Sequence, residues 1–386
     1  MRIYLSCLQS KRRHPVPAYE FWEPYFKRGI EEAGHQWLEC PHVDWAEGVA
    51  PGVDLAGWRE RTWTRVYDDL RRQHSDHGVD LFLAYLYPQQ VDVAALRQIQ
   101  SLGVPCVNFF CDNVREYRSV PEPYRAFDAH WVPERAALPM YEKAGLRTIH
   151  RAMPVWVDPT LRRHEHDEQF PPTFIGSRDA LRESLLAEAI TLGAGLELRG
   201  PGWLPGTTPS AHRGGRTSGI RTRIANQLDL VRHDGVTSLL WKATYRVRTP
   251  VPDAVFATVA RPPVFGDEYI RVTQGSRVTL GINRYPSYRR PFSRPDSYSR
   301  LRDVEAPMMG ACYLTEWTPE LEHMYDLGRE VVTYRSATEL VEKLRELERD
   351  EASRRKIRRE GQRRALADHT VGRSLQAIGE LLGIVE

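Results

Sequence analysis

Residues 302–316 read RDVEAPMMGACYLTE. The first half has helical spacing and sets Arg302 and Glu305 three positions apart on one face. Gly310 supplies the residue with which helices commonly stop. The chain then runs at once into Ala311-Cys312-Tyr313-Leu314-Thr315, an apolar stretch without alternation. A helix that delivers a strand buried on both faces is half of a βαβ unit, and such strands lie in parallel sheets covered by helices. The stretch therefore excludes an all-helical or an antiparallel β protein and asks for α/β.

The same alternation extends in both directions. Residues 277–282 predict a strand, 299–309 the helix just described and 331–334 a further strand. Ser336 with Glu339 forms a capping box for a helix whose Leu340, Val341, Leu344 and Leu347 share a face. A last helix carries Val371, Leu375, Ile378, Leu381 and Leu382 at helical spacing. Upstream, strands are expected at 173–175 and 196–198, with a helix at 179–191. A separate set fills the N-terminal half, with strands at 2–7, 79–85, 107–110, 129–132 and 148–153 and helices at 20–33, 58–73, 91–102 and 136–144. Between the sets, residues 158–172 (DPTLRRHEHDEQFPP) are charged, proline-bounded and poor in large aliphatics, which marks a domain boundary. The expected organisation is a first domain at 1–158, a linker at 159–172, a second domain at 173–370 and a closing helix at 371–386. Residues 204–262 read as irregular, apart from a helix expected at 224–231.

Composition narrows the class. A chain of 386 residues suits two α/β domains better than one core. With 41% apolar and 27% charged residues it reads as a water-soluble globular protein. A formal net charge of +3 supplies no global field toward nucleic acid or acidic lipid. The basic run at 354–364 (RRKIRREGQRR) is interleaved with acidic residues and has no aromatics for base stacking, so it reads as a solvated helix face. Cys7, Cys40, Cys106, Cys111 and Cys312 are scattered and form no CxxC pair. Free thiols of a reducing compartment are expected, rather than a disulfide framework or a zinc site. No segment approaches the roughly 18 consecutive apolar residues of a membrane span. The expectation is a cytoplasmic protein with no transmembrane segment and no nucleic-acid partner.

Three places could carry chemistry. Residues 173–178, TFIGSR, form a strand that ends at Gly176 and opens a helix, which would offer bare N–H groups and a positive helix end to an anion. Arg178 and Arg182 stand ready there to neutralise phosphate oxygens. An ordinary capped turn is the plain alternative. Residues 198–203, LRGPGW, turn through Gly200 and Gly202 at a strand end, where small residues let a base or ribose approach the backbone; alternatively Trp203 simply closes the core. Glu305 could accept both hydroxyls of a ribose, or could be a surface ion pair worth about 0.3 kcal/mol.

Several of these runs occur in one order: SRVTLGIN at 276–283, the stretch from 302 to 344, and ALADHTVGRSL at 365–375. Together with TFIGS and LRGPGW they resemble the C-terminal part of the group 1 glycosyltransferases of the spore maturation protein CgeB-like type. The resemblance covers much of 172–386, and the first half agrees mainly in strand order and in FFCDN at 109–113. It implies a GT-B fold: two facing Rossmann-like doubly wound α/β domains, a nucleotide diphosphate sugar donor in the second, the acceptor in the first, and a C-terminal helix crossing back to the first domain. It implies Glu305 at the donor ribose, Gly176, Arg178, Asn283 and Arg302 near the diphosphate, and Gly200 and Trp203 beside the base. Related transferases often carry another Glu eight positions before the ribose-binding one, where this chain has Ser297. That departure leaves the sugar-facing carboxylate and the stereochemistry open.

Glycosyl transfer breaks the anomeric C–O bond through an oxocarbenium-like state, so the departing diphosphate needs Arg, Lys or helix N-termini where no metal serves. No DxD stands in a loop beside a strand of the second half. The expectation is a metal-independent, hexosyltransferase-like enzyme with no cofactor beyond its nucleotide-sugar substrate. An inverting reaction also needs a base from the acceptor side, and the catalytic candidates are Asp112, after the strand at 107–110, and His14, in the loop after the first strand. The plainer reading of each is a capping or solvated residue. A nucleotide-sugar epimerase of the same fold and a non-catalytic nucleotide-sugar-binding subunit are the competing readings, because fold does not fix function.

Overall fold

The computed structural model describes residues 1–7, 10, 19–50, 52–204, 251–285 and 296–384. The helix expected at 224–231 and the rest of 205–250 lie outside them. The chain divides into two compact units, Met1–Trp156 with Ala367–Glu386, and Val157–Leu366.

The first unit is built on six parallel strands, β1 (Arg2–Ser6), β2 (Gln36–Leu38), β3 (Leu81–Ala84), β4 (Cys106–Phe109), β5 (Ala129–Trp131) and β6 (Thr148–Ile149), in the order β2-β1-β3-β4-β5-β6. Its helices are α1 (Tyr19–Glu32), α2 (Leu55–His77), α3 (Val93–Ser101), α4 (Asn113–Glu116) and α5 (Leu138–Lys143). β3 and β4 are buried at every position, as continuous apolar strands of a covered parallel sheet must be. Strand β2 is absent from the sequence expectation: it is three residues long, lies at the sheet edge and is only partly buried, so it carries no run of apolar residues. Trp22 of α1 meets Phe109 of β4, and Phe26 meets Phe109 and Trp131 of β5, edge to face at centroid distances of 5.3 to 6.1 Å. The last helix, α12 (Val371–Leu382), belongs to this unit and buries Val371, Leu375 and Ile378. It packs on α1 where Gly29 leaves room for the Val371 side chain.

The second unit carries a six-stranded sheet, β7 (Thr173–Ile175), β8 (Glu197–Arg199), β9 (Ala260–Arg261), β10 (Thr279–Gly281), β13 (Tyr313–Glu316) and β14 (Val332–Tyr334), in the order β14-β13-β10-β7-β8-β9 with every pair parallel. A small antiparallel pair, β11 (Arg284–Tyr285) with β12 (Asp296–Ser297), stands apart. Its helices are α6 (Ala180–Thr191), α7 (Gly266–Gly275), α8 (Arg302–Met308), α9 (Leu321–Met324), α10 (Ala337–Arg349) and α11 (Glu351–Asp368). Ser336 caps α10 by accepting the Glu339 N–H at 3.2 Å. The chain builds outward from β7 through β8 and β9, returns to β10 on the other side of β7, and builds outward again. That is a doubly wound order with its reversal between β7 and β10, the place where such sheets bind ligands. Gly310, between α8 and β13, is required twice over: its φ is +73° and a β-carbon there would strike the Arg163 carbonyl.

Residues 159–172 fall within the second unit. The Glu168 carboxylate binds Arg354 at 2.5 Å and Arg358 at 3.4 Å. The basic run is no uniformly solvated face, since Arg354 and Arg358 are buried and only its other side is exposed. Arg358 donates to the carbonyls of Ser276, Gln274 and Gly310. Charge alone suggested solvation; carbonyls left over at the ends of α7 and α8 supply the acceptors that make burial tolerable. All five cysteines are free and buried. No helix among the described residues is long and apolar enough to cross a membrane.

Candidate functional site

At the carboxyl end of β7 the chain turns through Gly176 and Ser177. The N–H groups expected to be bare are largely used inside the protein. Gly176 N–H donates to the Arg199 carbonyl at 2.8 Å and Arg178 N–H to the Pro201 carbonyl at 2.9 Å. Asp179 caps α6 by accepting from Leu181 and Arg182, both at 2.9 Å. This turn interlocks with the one after β8. Gly200 has φ +145°, and a β-carbon there would strike the Gly176 carbonyl. The Trp203 indole N–H donates to that same carbonyl at 2.7 Å. Its ring is buried edge-on against Phe256 and Phe174. Trp203 and Gly200 thus brace the turn from within.

Arg178 is equally committed. Its guanidinium meets Glu183 at 2.8 Å, Asp253 at 2.6 Å and the Val251 carbonyl at 2.6 Å, and lies 4.9 Å from the Phe256 ring centroid. It fastens residues 251–256 to the β7 turn. A different set of arginines gathers there. Arg182 donates to the Ser177 carbonyl at 3.0 Å and hydroxyl at 3.1 Å, with its Nε 3.2 Å from an Asp179 carboxylate oxygen. Arg302 donates to the Ile175 carbonyl, the last residue of β7, and lies over the Tyr269 ring at 5.5 Å. Arg300 lies over Tyr298 at 5.1 Å, and its buried Nε has no hydrogen-bond partner among the described residues. Burial pulls the Arg182 guanidinium below its ordinary range; Asp179 opposes this, and the like charges of Arg300 and Arg302 reinforce it. Crowded, partly desolvated cations of this kind are relieved by an anion. The sequence reading named Arg182 only in passing and missed Arg300, although the Arg300-Leu301-Arg302 spacing was visible.

Helix α8 is held by a buried carboxylate. Asp303 is fully buried and accepts from Asn283 Nδ2 at 2.9 Å, Tyr313 Oη at 2.8 Å, Thr315 Oγ1 at 3.0 Å and Arg300 N–H at 3.0 Å. Burial raises this carboxyl above its usual range, against the pull of those hydrogen bonds. Asn283 therefore turns inward, and its amide also reaches Thr315 Oγ1 at 3.2 Å and the Glu316 carbonyl at 2.9 Å. On the same helix Glu305 accepts from the Tyr269 hydroxyl, so Arg302 and Glu305 meet one phenol. Ser297 lies in β12, opposite Arg284. Phe265, between β9 and α7, is 69% exposed although large and apolar; nothing in its sequence context marked it. Of the residues expected at the donor, the structure brings Gly176, Arg302 and Glu305 to the β7 side of the reversal and gives Arg178, Gly200, Trp203 and Asn283 internal partners.

In the first unit Asp112 follows β4. Its side chain is 27% exposed and 4.0 Å from the Arg115 guanidinium. The N–H of the next residue, Asn113, donates to Glu134 Oε2 at 2.7 Å. His14 lies outside the described residues.

Residues 230–380 match the family model described as glycosyl transferase-like. No curated protein matches the chain. Among solved structures the chain is similar to sucrose-phosphate synthase from Thermosynechococcus elongatus, at 13% identity and TM-score 0.57 over 100% of this chain and 99% of the other. It is also similar to Anabaena Alr3699/HepE, solved in complex with UDP and glucose, at 10% identity and TM-score 0.55 over the whole of both chains. A third is AviGT4, a glycosyltransferase involved in avilamycin A biosynthesis, at 15% identity and TM-score 0.53 over 99% and 96%. Residues 230–380 thus match the glycosyl transferase-like family, on a chain whose fold is that of GT-B glycosyltransferases.

Proposed function

We propose that the chain is a glycosyltransferase whose second unit takes a nucleotide diphosphate sugar, the diphosphate meeting Arg182, Arg300 and Arg302 and the ribose meeting Glu305. The observation that carries the reading is the crowding of these three guanidinium groups at the carboxyl end of β7, where the strand order reverses. The glycosyl transferase-like match at 230–380 includes Arg300, Arg302 and Glu305 and supports it. A uridine donor is the reading favoured by the likeness to HepE, whose structure holds UDP and glucose. The exposed Phe265 ring offers an apolar face for a base.

Transfer joins an acceptor hydroxyl oxygen to the anomeric carbon as the bond to the diphosphate breaks, and the diphosphate leaves with the electron pair. Three arginines offset that charge, so the reaction is read as metal-independent and needs no cofactor. Asp112 is the residue assigned to receive the hydroxyl proton. A hexosyl donor, a CgeB-like subgroup and a cytoplasmic setting for the five free thiols complete the reading.

Thermal shift with uridine, guanosine and thymidine diphosphates and their sugars tests it, since a ligand of the folded state raises the melting temperature by mass action. The uridine compounds should raise it most. If no nucleotide does so at millimolar concentration, the reading fails. Incubation with donor alone separates a transferase from an epimerase, which converts the sugar without an acceptor.

A further inference from the structure

Asp112 and Glu134 follow adjacent strands of the first unit, β4 and β5, which pair through Val107 with Ala129 and Phe109 with Trp131. The fold treats the two carboxyl groups differently. Asp112 is 27% exposed and has Arg115 beside it. Glu134 is 1% exposed. Its Oε2 accepts the Asn113 N–H at 2.7 Å, while Oε1 is buried without a donor among the described residues. Among the described residues no lysine or arginine forms an ion pair with it. A carboxylate buried without a counter-charge is strongly disfavoured, and such groups neutralise.

The surroundings agree. Among the described residues, the titratable and charged groups facing this corner include Asp112 itself, Arg115 and Glu116 of α4, Cys111 just after β4, and Tyr141 of α5, whose hydroxyl donates to Asn113 Oδ1 at 2.8 Å. Burial raises the Glu134 carboxyl well above its ordinary range, the charge of Asp112 raises it further, and hydrogen bonds from Asn113 and Val114 oppose both.

We infer that Glu134 is a neutral carboxylic acid at neutral pH, a positioning residue that pins the backbone after Asp112. The inference rests on the reading of Asp112 as the proton acceptor. Glu134 keeps its proton throughout: the acceptor's proton ends on Asp112, the new bond joins the acceptor oxygen to the anomeric carbon, and the diphosphate leaves.

The test is infrared difference spectroscopy of the full chain across pH, comparing wild type with E134Q and D112N. At neutral pH the carbonyl stretch of a protonated carboxyl group should be present in wild type and missing from E134Q. In D112N it should vanish at a lower pH, because removing a neighbouring negative charge makes Glu134 easier to ionise. No such band in wild type, or the same midpoint in D112N, overturns the inference. Stability gives a second readout. Unfolded glutamate ionises near pH 4.3 while folded Glu134 keeps its proton, so wild type should lose melting temperature between about pH 5 and pH 8 more steeply than E134Q; parallel curves overturn it. With turnover in hand, E134Q should keep kcat within about threefold at neutral pH and shift the alkaline limb upward. If no nucleotide binds, the proposed function fails while the infrared and stability results still decide the carboxyl pair.

Discussion

The Tyr269 hydroxyl donates a hydrogen bond to the Glu305 carboxylate, and the Arg302 guanidinium lies 5.5 Å from the centroid of the same tyrosine ring. Arg302 and Glu305 sit three apart on α8, so one side chain from α7 fixes the directions of both. Burial raises the Tyr269 hydroxyl far above its ordinary range, and the Glu305 charge adds to this, so the phenol remains a donor at any working pH.

Tyr269→Phe should therefore weaken nucleotide binding without removing any group assigned to the ligand. A hydrogen bond to a charged group contributes about 1.5 kcal/mol, which corresponds to roughly tenfold in dissociation constant. Titration calorimetry with UDP checks this. Equal affinities in wild type and Y269F would show that Glu305 needs no support from Tyr269.

The two groups of arginines should separate cleanly. Arg178 is paired with Glu183 and Asp253 and packed on Phe256, so Arg178→Ala should lower the melting temperature while nucleotide affinity changes less than about threefold. Arg182→Ala and Arg300→Ala should each weaken diphosphate binding by roughly tenfold or more, the size of a lost charge-assisted contact of about 1.5–3 kcal/mol, and flatten its salt dependence. The reverse pattern, affinity lost in R178A and kept in R182A and R300A, would return the phosphate role to Arg178.

What the sequence discloses follows from the range of the information. Strands β3, β4, β10 and β13 sit inside their sheets and are buried at every position, so short runs of residues without polar alternation reveal them. Strands β2 and β9 are edge strands of three and two residues, too short to show any period. Arg302 and Glu305 are legible because their relation is a helical spacing within one element. Arg178, Arg182 and Arg300 look alike in one dimension. Which of them is saturated depends on Asp253, 75 residues from Arg178, and no local pattern carries that. Asn283 and Trp203 are the same case: their partners Asp303 and Gly176 lie 20 and 27 residues away.

Glu168 makes the segment before β7 part of the second unit. Its carboxylate compensates Arg354 and Arg358, which are 6% and 2% exposed as side chains. Arg354 raises no difficulty as a cation, because the Glu168 hydrogen bond lifts it above its ordinary range, but burial pulls Arg358 below. Glu168→Ala strands both charges and should cost on the order of 3 kcal/mol. Urea unfolding measures this; a loss below about 0.5 kcal/mol, the size of an exposed pair, would place the stability elsewhere.

His130 of β5 is expected to weaken the first unit in acid. It is 1% exposed, and Tyr124, Phe127 and Tyr141 surround it at centroid distances of 4.9 to 6.1 Å. Burial pushes its pKa down to about 3, whereas the unfolded side chain titrates near 6.5. The folded protein therefore binds fewer protons than the unfolded chain between those values. The contribution of neutral His130 is intact above about pH 6.5 and is lost as pH falls toward 3, at about 1.4 kcal/mol per pH unit. His130→Phe keeps an aromatic ring in the same cluster and removes the titration. Its unfolding free energy should fall less steeply between about pH 6 and pH 4 than that of wild type, by roughly the same 1.4 kcal/mol per unit. Parallel curves for the two proteins would mean that another group governs acid unfolding.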